Sequence, residues 1–177
     1  MKIETKEISL PLLDEKEVRL FIKRIDKIHP FVSGNKWFKL KYNLLEAKKQ
    51  GLNTLLTFGG AYSNHIPATA FAAKEKEISS IGIIRGEEHL PLNPTLRFAI
   101  DNGMKLHYIS RSNYKEKTSA NFLEDLKNQF GDFYLIHEGG TNELAIQGTK
   151  EILDTNDTQD YICCPVGTGG TIAGIIN

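Results

Sequence analysis

The chain has 177 residues and equal numbers of basic and acidic side chains, 22 of each, so it carries no net formal charge. That balance argues against a nucleic-acid partner, which needs a basic surplus on one face. With 40% hydrophobic and 25% charged residues it reads as one globular domain, or a small domain plus part of another. No apolar run approaches the ~20 residues that span a bilayer, and the charged stretch Met1 to Leu13 lacks a signal-peptide core.

Residues 1 to 30 read as an extended arm in which Val18 to Ile25 alternates well enough for a strand. A helix is expected from about Asn35 to Gln50. Asn35 suits its N-cap, Trp37, Leu40, Leu44, Leu45 and Ala47 form its buried stripe, and Gly51 takes the C′ position. Beyond it, strands are predicted over Thr54 to Phe58, Ser79 to Arg85, Lys105 to Ile109, Phe133 to Ile136 and Tyr161 to Val166. Helices are predicted between them, over Ser63 to Lys76, Pro94 to Asn102, Ser119 to Phe130 and Glu143 to Leu153, and from Gly170 onward. Strands alternating with helices of this length imply right-handed crossovers and a mostly parallel sheet, which is the α/β class. The adjacent Cys163 and Cys164 lack zinc-ligand spacing and read as reduced core residues on the last strand, in a cytoplasmic protein. No metal site is expected. The chain stops about two turns into its last helix, which reads as the front part of a longer polypeptide.

Four stretches carry candidate chemistry. In Ser33-Gly34-Asn35-Lys36 a turn opens a helix whose first turn holds Lys36, where free N–H groups and the dipole disfavour a second cation. A lysine with a depressed pKa suits imine chemistry with a carbonyl cofactor, although an ordinary helix-start lysine facing water has the same pattern. In Gly167-Thr168-Gly169-Gly170-Thr171 an apolar run passes through glycines into a helix, freeing N–H groups and two hydroxyls for an anion. It fits neither the Walker A nor the GxGxxG spacing, and a tight turn without a ligand is the alternative. Phe58-Gly59-Gly60-Ala61-Tyr62-Ser63-Asn64-His65 and His137-Glu138-Gly139-Gly140-Thr141-Asn142 are two more strand-to-helix loops, expected at the ligand-binding end of one sheet. In the first of these, Ser63 reads equally as an N-cap, with Asn64 and His65 as first-turn polar residues.

Together SGNK (33–36), FGGAYSNH (58–65), EGGTN (138–142) and GTGGT (167–171) resemble, in order, the pyridoxal-phosphate enzymes of the tryptophan synthase β-subunit fold type. Within them the likeness is to the 1-aminocyclopropane-1-carboxylate deaminase and D-cysteine desulfhydrase group. The resemblance implies two α/β domains with pyridoxal 5'-phosphate between them. Residues 1–50 would begin the larger domain, 51–155 form the smaller, and 156–177 return to the larger, which is incomplete here. It implies Lys36 as the Schiff-base lysine and proton carrier, with Asn35 beside it and Asn64 facing the ring oxygen. It also implies Ser63 near the substrate carboxylate or the carbon under attack, and Gly167, Thr168, Gly169, Gly170 and Thr171 around the phosphate. The implied activity is that of a lyase, deaminase or hydrolase releasing ammonia and a 2-oxo acid from a small amino acid, in a homodimer with no membrane partner. A catalytically inert fragment and a nucleotide-binding α/β module are the rival readings.

Overall fold

A computed structural model describes residues 3–177; Met1 and Lys2, the start of the expected arm, lie outside the described residues. The arm is a two-stranded antiparallel ribbon, β1 (Thr5–Ile8) against β2 (Leu20–Lys23), with the short helix α1 (Pro11–Glu15) between them. Pro11 opens α1, the position where its missing N–H costs nothing. A half-buried ion pair from Lys23 to Asp157 ties the ribbon to the turn near residue 155.

The α/β class holds. After α2 (Asn35–Lys49) come β3 (Thr54–Gly60), α3 (His65–Glu75), β4 (Ser79–Arg85), α4 (Pro94–Asp101) and β5 (Met104–Ile109). Then follow α5 (Arg111–Lys115), α6 (Ala120–Phe130), β6 (Tyr134–Ile136), α7 (Glu143–Thr149) and α8 (Gly170–Ile175). The four later strands form one parallel sheet in the order β5-β4-β3-β6. Its inner strands are apolar on both faces because helices cover both. Leu55 of β3 packs with Leu40, Ala68 and Ala72 from α2 and α3, while its neighbours Leu56 and Phe58 pack with Tyr114 and Leu126 from α5 and α6. Parallel strands put all their C-terminal ends on one side, so the loops leaving β3 and β6 converge there.

Five expectations need correction. Residues 161–166 form no strand: Tyr161 is 88% and Val166 63% exposed, Cys163 is exposed and Cys164 half-buried. A strand persists through its ladder of hydrogen bonds, and among the described residues none runs beside this segment. The cysteines are therefore neither on a strand nor in the core. The N-cap of α2 is Gly34, not Asn35. On α2, Leu45 is 58% exposed while Lys39 and Asn43 are buried, so the inward face is rotated from the apolar stripe toward two polar residues. The helix after residue 143 ends at Thr149 and continues only as a 3-10 turn, Lys150–Ile152.

α7 lies against α2 at very short range. A Cβ on Gly148 would stand 2.0 Å from the carbonyl oxygen of Phe38, so only glycine admits this approach.

Candidate functional site

At the C-terminal end of the sheet the loops after β3 and β6, the first turns of α2 and the 165–172 segment enclose a cleft of about 280 Å³. Lys36 reaches it from the first turn of α2. Its amine donates to Asn35 Oδ1 at 3.0 Å, and Asn35 Nδ2 donates to Thr171 Oγ1 at 2.7 Å. Asn35 thus spans from the lysine to the glycine loop, which is why its side chain does not cap its own helix. Burial holds the Lys36 pKa below the usual lysine value. The cause is desolvation, where the sequence pointed to the helix terminus.

Lys39 enters one turn later on the same face and is only 2% exposed. Its amine donates to Gly139 O at 3.0 Å and Thr141 Oγ1 at 3.2 Å, and reaches Thr168 Oγ1 at 3.4 Å. The hydroxyls of Thr141 and Thr168 also bond each other. One amine therefore joins α2, the loop after β6 and the glycine loop. Burial first, and the Lys36 charge second, bring its pKa down to about 8. The sequence reading missed Lys39. The available signal was its i, i+3 spacing from Lys36.

His65 is 1% exposed and closes the floor. The Thr57 hydroxyl spends its proton on Ile136 O at 2.7 Å, so at 2.8 Å His65 Nε2 must be the donor to Thr57 Oγ1. That assignment fixes the neutral tautomer. Burial, with Lys36 and Lys39 nearby, pushes the imidazole pKa down to about 3. His65 is thus a first-turn polar residue, as expected, but a buried and hydrogen-bonded one. Ser63 and Asn64 line the wall above it. Asn64 occupies the N-cap of α3 without a side-chain cap bond, and Ser63 Oγ accepts from His65 N at 3.3 Å.

Gly167, Thr168, Gly169 and Thr171 face the cleft from the other side. Added Cβ atoms at Gly167 and Gly169 would meet nothing within 4 Å, so these backbone faces are open to a ligand. Gly170 does not line the cleft. It is buried beneath, where a Cβ would stand 2.9 Å from Thr141 Cγ2 and 3.1 Å from Lys39 Nζ. The structure thus brings Asn35, Lys36, Ser63, Asn64, Gly167, Thr168, Gly169 and Thr171 to one cavity and leaves Gly170 behind it. Among the described residues that line it there is no carboxylate, while two lysines do. Such a cleft favours an anion near the glycine loop and offers, in Lys36, an amine whose charged form is disfavoured by burial.

Among the described residues no helix is long and apolar enough to cross a membrane, and no group of His, Cys, Asp and Glu is arranged to hold a metal. The chain is 34% identical over 164 residues to a protein of Thermotoga maritima named "Putative 1-aminocyclopropane-1-carboxylate deaminase", covering 88% of this chain and 52% of that one. It is 33% identical over 175 residues to a protein of Arabidopsis thaliana named "Bifunctional D-cysteine desulfhydrase/1-aminocyclopropane-1-carboxylate deaminase, mitochondrial", covering 88% and 44%. Among solved structures, one described as an "ACC deaminase homologue" superposes with a TM-score of 0.80 at 27% identity, over 99% of this chain and 55% of that one. The chain spans about half the length of the curated relatives it matches. The profile of the family described as "Pyridoxal-phosphate dependent enzyme" matches residues 3–177, and the chain belongs to that family.

Proposed function

We propose that the cleft holds pyridoxal 5'-phosphate, with Lys36 as its covalent anchor, and that the protein releases ammonia from a small amino acid such as 1-aminocyclopropane-1-carboxylate or D-cysteine. The observation that carries this reading is the pairing of a half-buried, pKa-depressed Lys36 with an open glycine loop across one carboxylate-free cleft. The residues fit the group. Gly167, Thr168, Gly169 and Thr171 supply backbone and hydroxyl donors for a phosphate, and Lys39 supplies a cation where Thr168 and Gly139 meet. Asn64 is available to the ring oxygen, and Ser63 to the substrate carboxylate or the carbon beside it. When bound, the cofactor supplies an electron sink for charge that develops next to the substrate nitrogen.

Two lysines compete for the anchor role, and their surroundings separate them. Lys39 is engaged by three oxygens, whereas Lys36 has one partner, the side-chain oxygen of Asn35. Lys36 is thus free to bond covalently and, once displaced, to carry a proton at the substrate carbon. Residues 51–155 are assigned to a smaller domain and the flanking segments to a larger one, with the cleft at their junction. The names of the relatives support the substrate class.

Borohydride treatment with the cofactor is expected to leave a stable label on the peptide containing Lys36, absent in Lys36→Ala. A label on Lys39 or Lys41 in the unaltered protein overturns the anchor. Ammonia release from 1-aminocyclopropane-1-carboxylate and from D-cysteine distinguishes the substrates, and release from neither overturns the activity.

A further inference from the structure

The motif residue Asn142 has no place in the chemistry above, and neither does the helix it begins. Asn142 is the N-cap of α7, its Oδ1 accepting from Ala145 N at 2.9 Å. The same side chain forms a reciprocal amide pair with Asn43 of α2. Asn142 Nδ2 donates to Asn43 Oδ1 at 2.7 Å, and Asn43 Nδ2 donates to Asn142 Oδ1 at 3.2 Å. Asn43 is fully buried, and its remaining capacity is used: Nδ2 donates to Lys39 O at 2.7 Å, and Oδ1 accepts from the Tyr134 hydroxyl at 3.1 Å. Asn43 thus has both amide hydrogens and its carbonyl oxygen engaged, and a buried network of this kind tolerates little displacement.

The other end of α7 grips α8. Thr149, also fully buried, has its hydroxyl within hydrogen-bond reach of Gly170 O of α8 at 3.0 Å and of Ala145 O at 3.0 Å and Ile146 O at 3.1 Å in its own helix, so its single proton is shared among them. A Cβ on Gly174 would stand 2.0 Å from Thr149 Oγ1 and 2.7 Å from Ile146 O, so only glycine lets α8 sit this close on Thr149 and the α7 backbone. With Gly148 seated on the Phe38 carbonyl, α7 makes hard contact with the lysine helix on one flank and with the helix after the glycine loop on the other.

We propose that α7 is a positioning element that sets the distance between the lysines of α2 and the 167–171 loop, through Asn142–Asn43 on one side and Thr149–Gly170/Gly174 on the other. The inference rests on the cofactor assignment above. A rigid phosphorylated aldehyde presents its carbonyl and its phosphate at a fixed separation, so amine and cradle must match it to within about 0.5 Å. Helices touching at glycine hold such a spacing better than helices separated by flexible side chains, because packed interiors do not deform continuously.

The test compares the affinity of the full protein for pyridoxal 5'-phosphate with that for pyridoxal, which lacks the phosphate. Loss of general stability weakens both, whereas a shifted loop weakens only the phosphate's share. Gly174→Ala, which wedges α8 away from α7, is expected to lower the preference for the phosphorylated form about tenfold, the scale of one misaligned contact to a charged group. Thr149→Val, which removes the hydroxyl without adding bulk, should lower it less, and Thr149→Ser should restore it. Thr149→Val also provides the answer if Gly174→Ala does not fold. An unchanged preference in Thr149→Val and in any folded Gly174→Ala, with Lys36 still labelled by borohydride, overturns this inference alone. Failure of the unaltered protein to label Lys36 overturns the cofactor assignment, and this inference with it.

Discussion

β4 and the segment 161–166 have similar residues in opposite surroundings. β4, SSIGIIR, is paired along its length with β3 on one side and β5 on the other, and Ile81, Ile83 and Ile84 are all buried. The later segment, YICCPV, is at least as apolar, yet it pairs with nothing among the described residues and leaves Tyr161 and Val166 largely exposed. A strand therefore depends on its neighbours as much as on its own residues, because the ladder and the two covering faces supply most of its stability. The contrast runs through the cleft. The side carrying Lys39 and His65 is continuous with the core, whereas the 165–169 lip is joined to it chiefly by Thr168, through Thr141 and Lys39.

The sharpest way to break the comparison is to cut equivalent side chains from the two regions. Ile83→Ala removes a fully buried chain between α5 and α6 on one face of the sheet and should destabilise the 177-residue chain by about 2–5 kcal/mol. Urea denaturation measures it, provided the slope is unchanged. A cost near zero would mean that β4 is no more confined than the exposed segment.

Much of this arrangement could be read from the chain, for a physical reason that also marks where reading fails. β3 and β4 announce themselves because both faces are covered, so their apolar runs are uninterrupted between turn residues. The glycine-bearing loops were visible because a backbone that approaches a ligand needs glycine, and Ser63, Asn64, Thr168 and Thr171 stand in or beside them. The burial of Lys39 and of His65 was not visible. Hydrophobic patterning scores a lysine as surface, and only the meeting of α2 with two distant loops supplies the three oxygens that bury its amine. Likewise the burial of His65 depends on Thr57 and Ile136, which lie on two different strands. The 161–166 segment was over-read because an apolar run does not state whether it has a partner. The short helix α5 was missed although Ser110 caps it through Asn113 N, since its apolar pattern is too brief to register.

A middle-sized effect sharpens the core side of the comparison. His65 has a folded-state pKa of about 3 against an ordinary 6.5, so its neutral form is the one the fold accepts. Above pH 6.5 neither state binds the proton and nothing changes. Below 6.5 the unfolded chain takes up a proton that the folded chain refuses, so stability falls as pH drops toward 3. At pH 5 the loss from this group should be about 2 kcal/mol. Denaturation curves at pH 7 and pH 5 for the unaltered chain and for His65→Gln provide the check, since the variant should lose that part of the acid slope. An equal slope in both would place the imidazole in contact with water.

The smallest expected effect tests the exposed side. Val166 is 63% exposed, belongs to no strand, and borders the cleft only at its lip. Truncating an exposed side chain removes little area from an apolar environment, so Val166→Ala should change the stability of the 177-residue chain by no more than about 0.5 kcal/mol. Ile83→Ala, measured beside it, fixes the scale for a buried aliphatic chain. If Val166→Ala instead cost 2 kcal/mol or more, a range belonging to buried aliphatic chains, residues 161–166 would have to be packed against something in solution. The glycine loop would then be held from both directions, and the weakly tethered lip would be as firmly fixed as the floor beneath it.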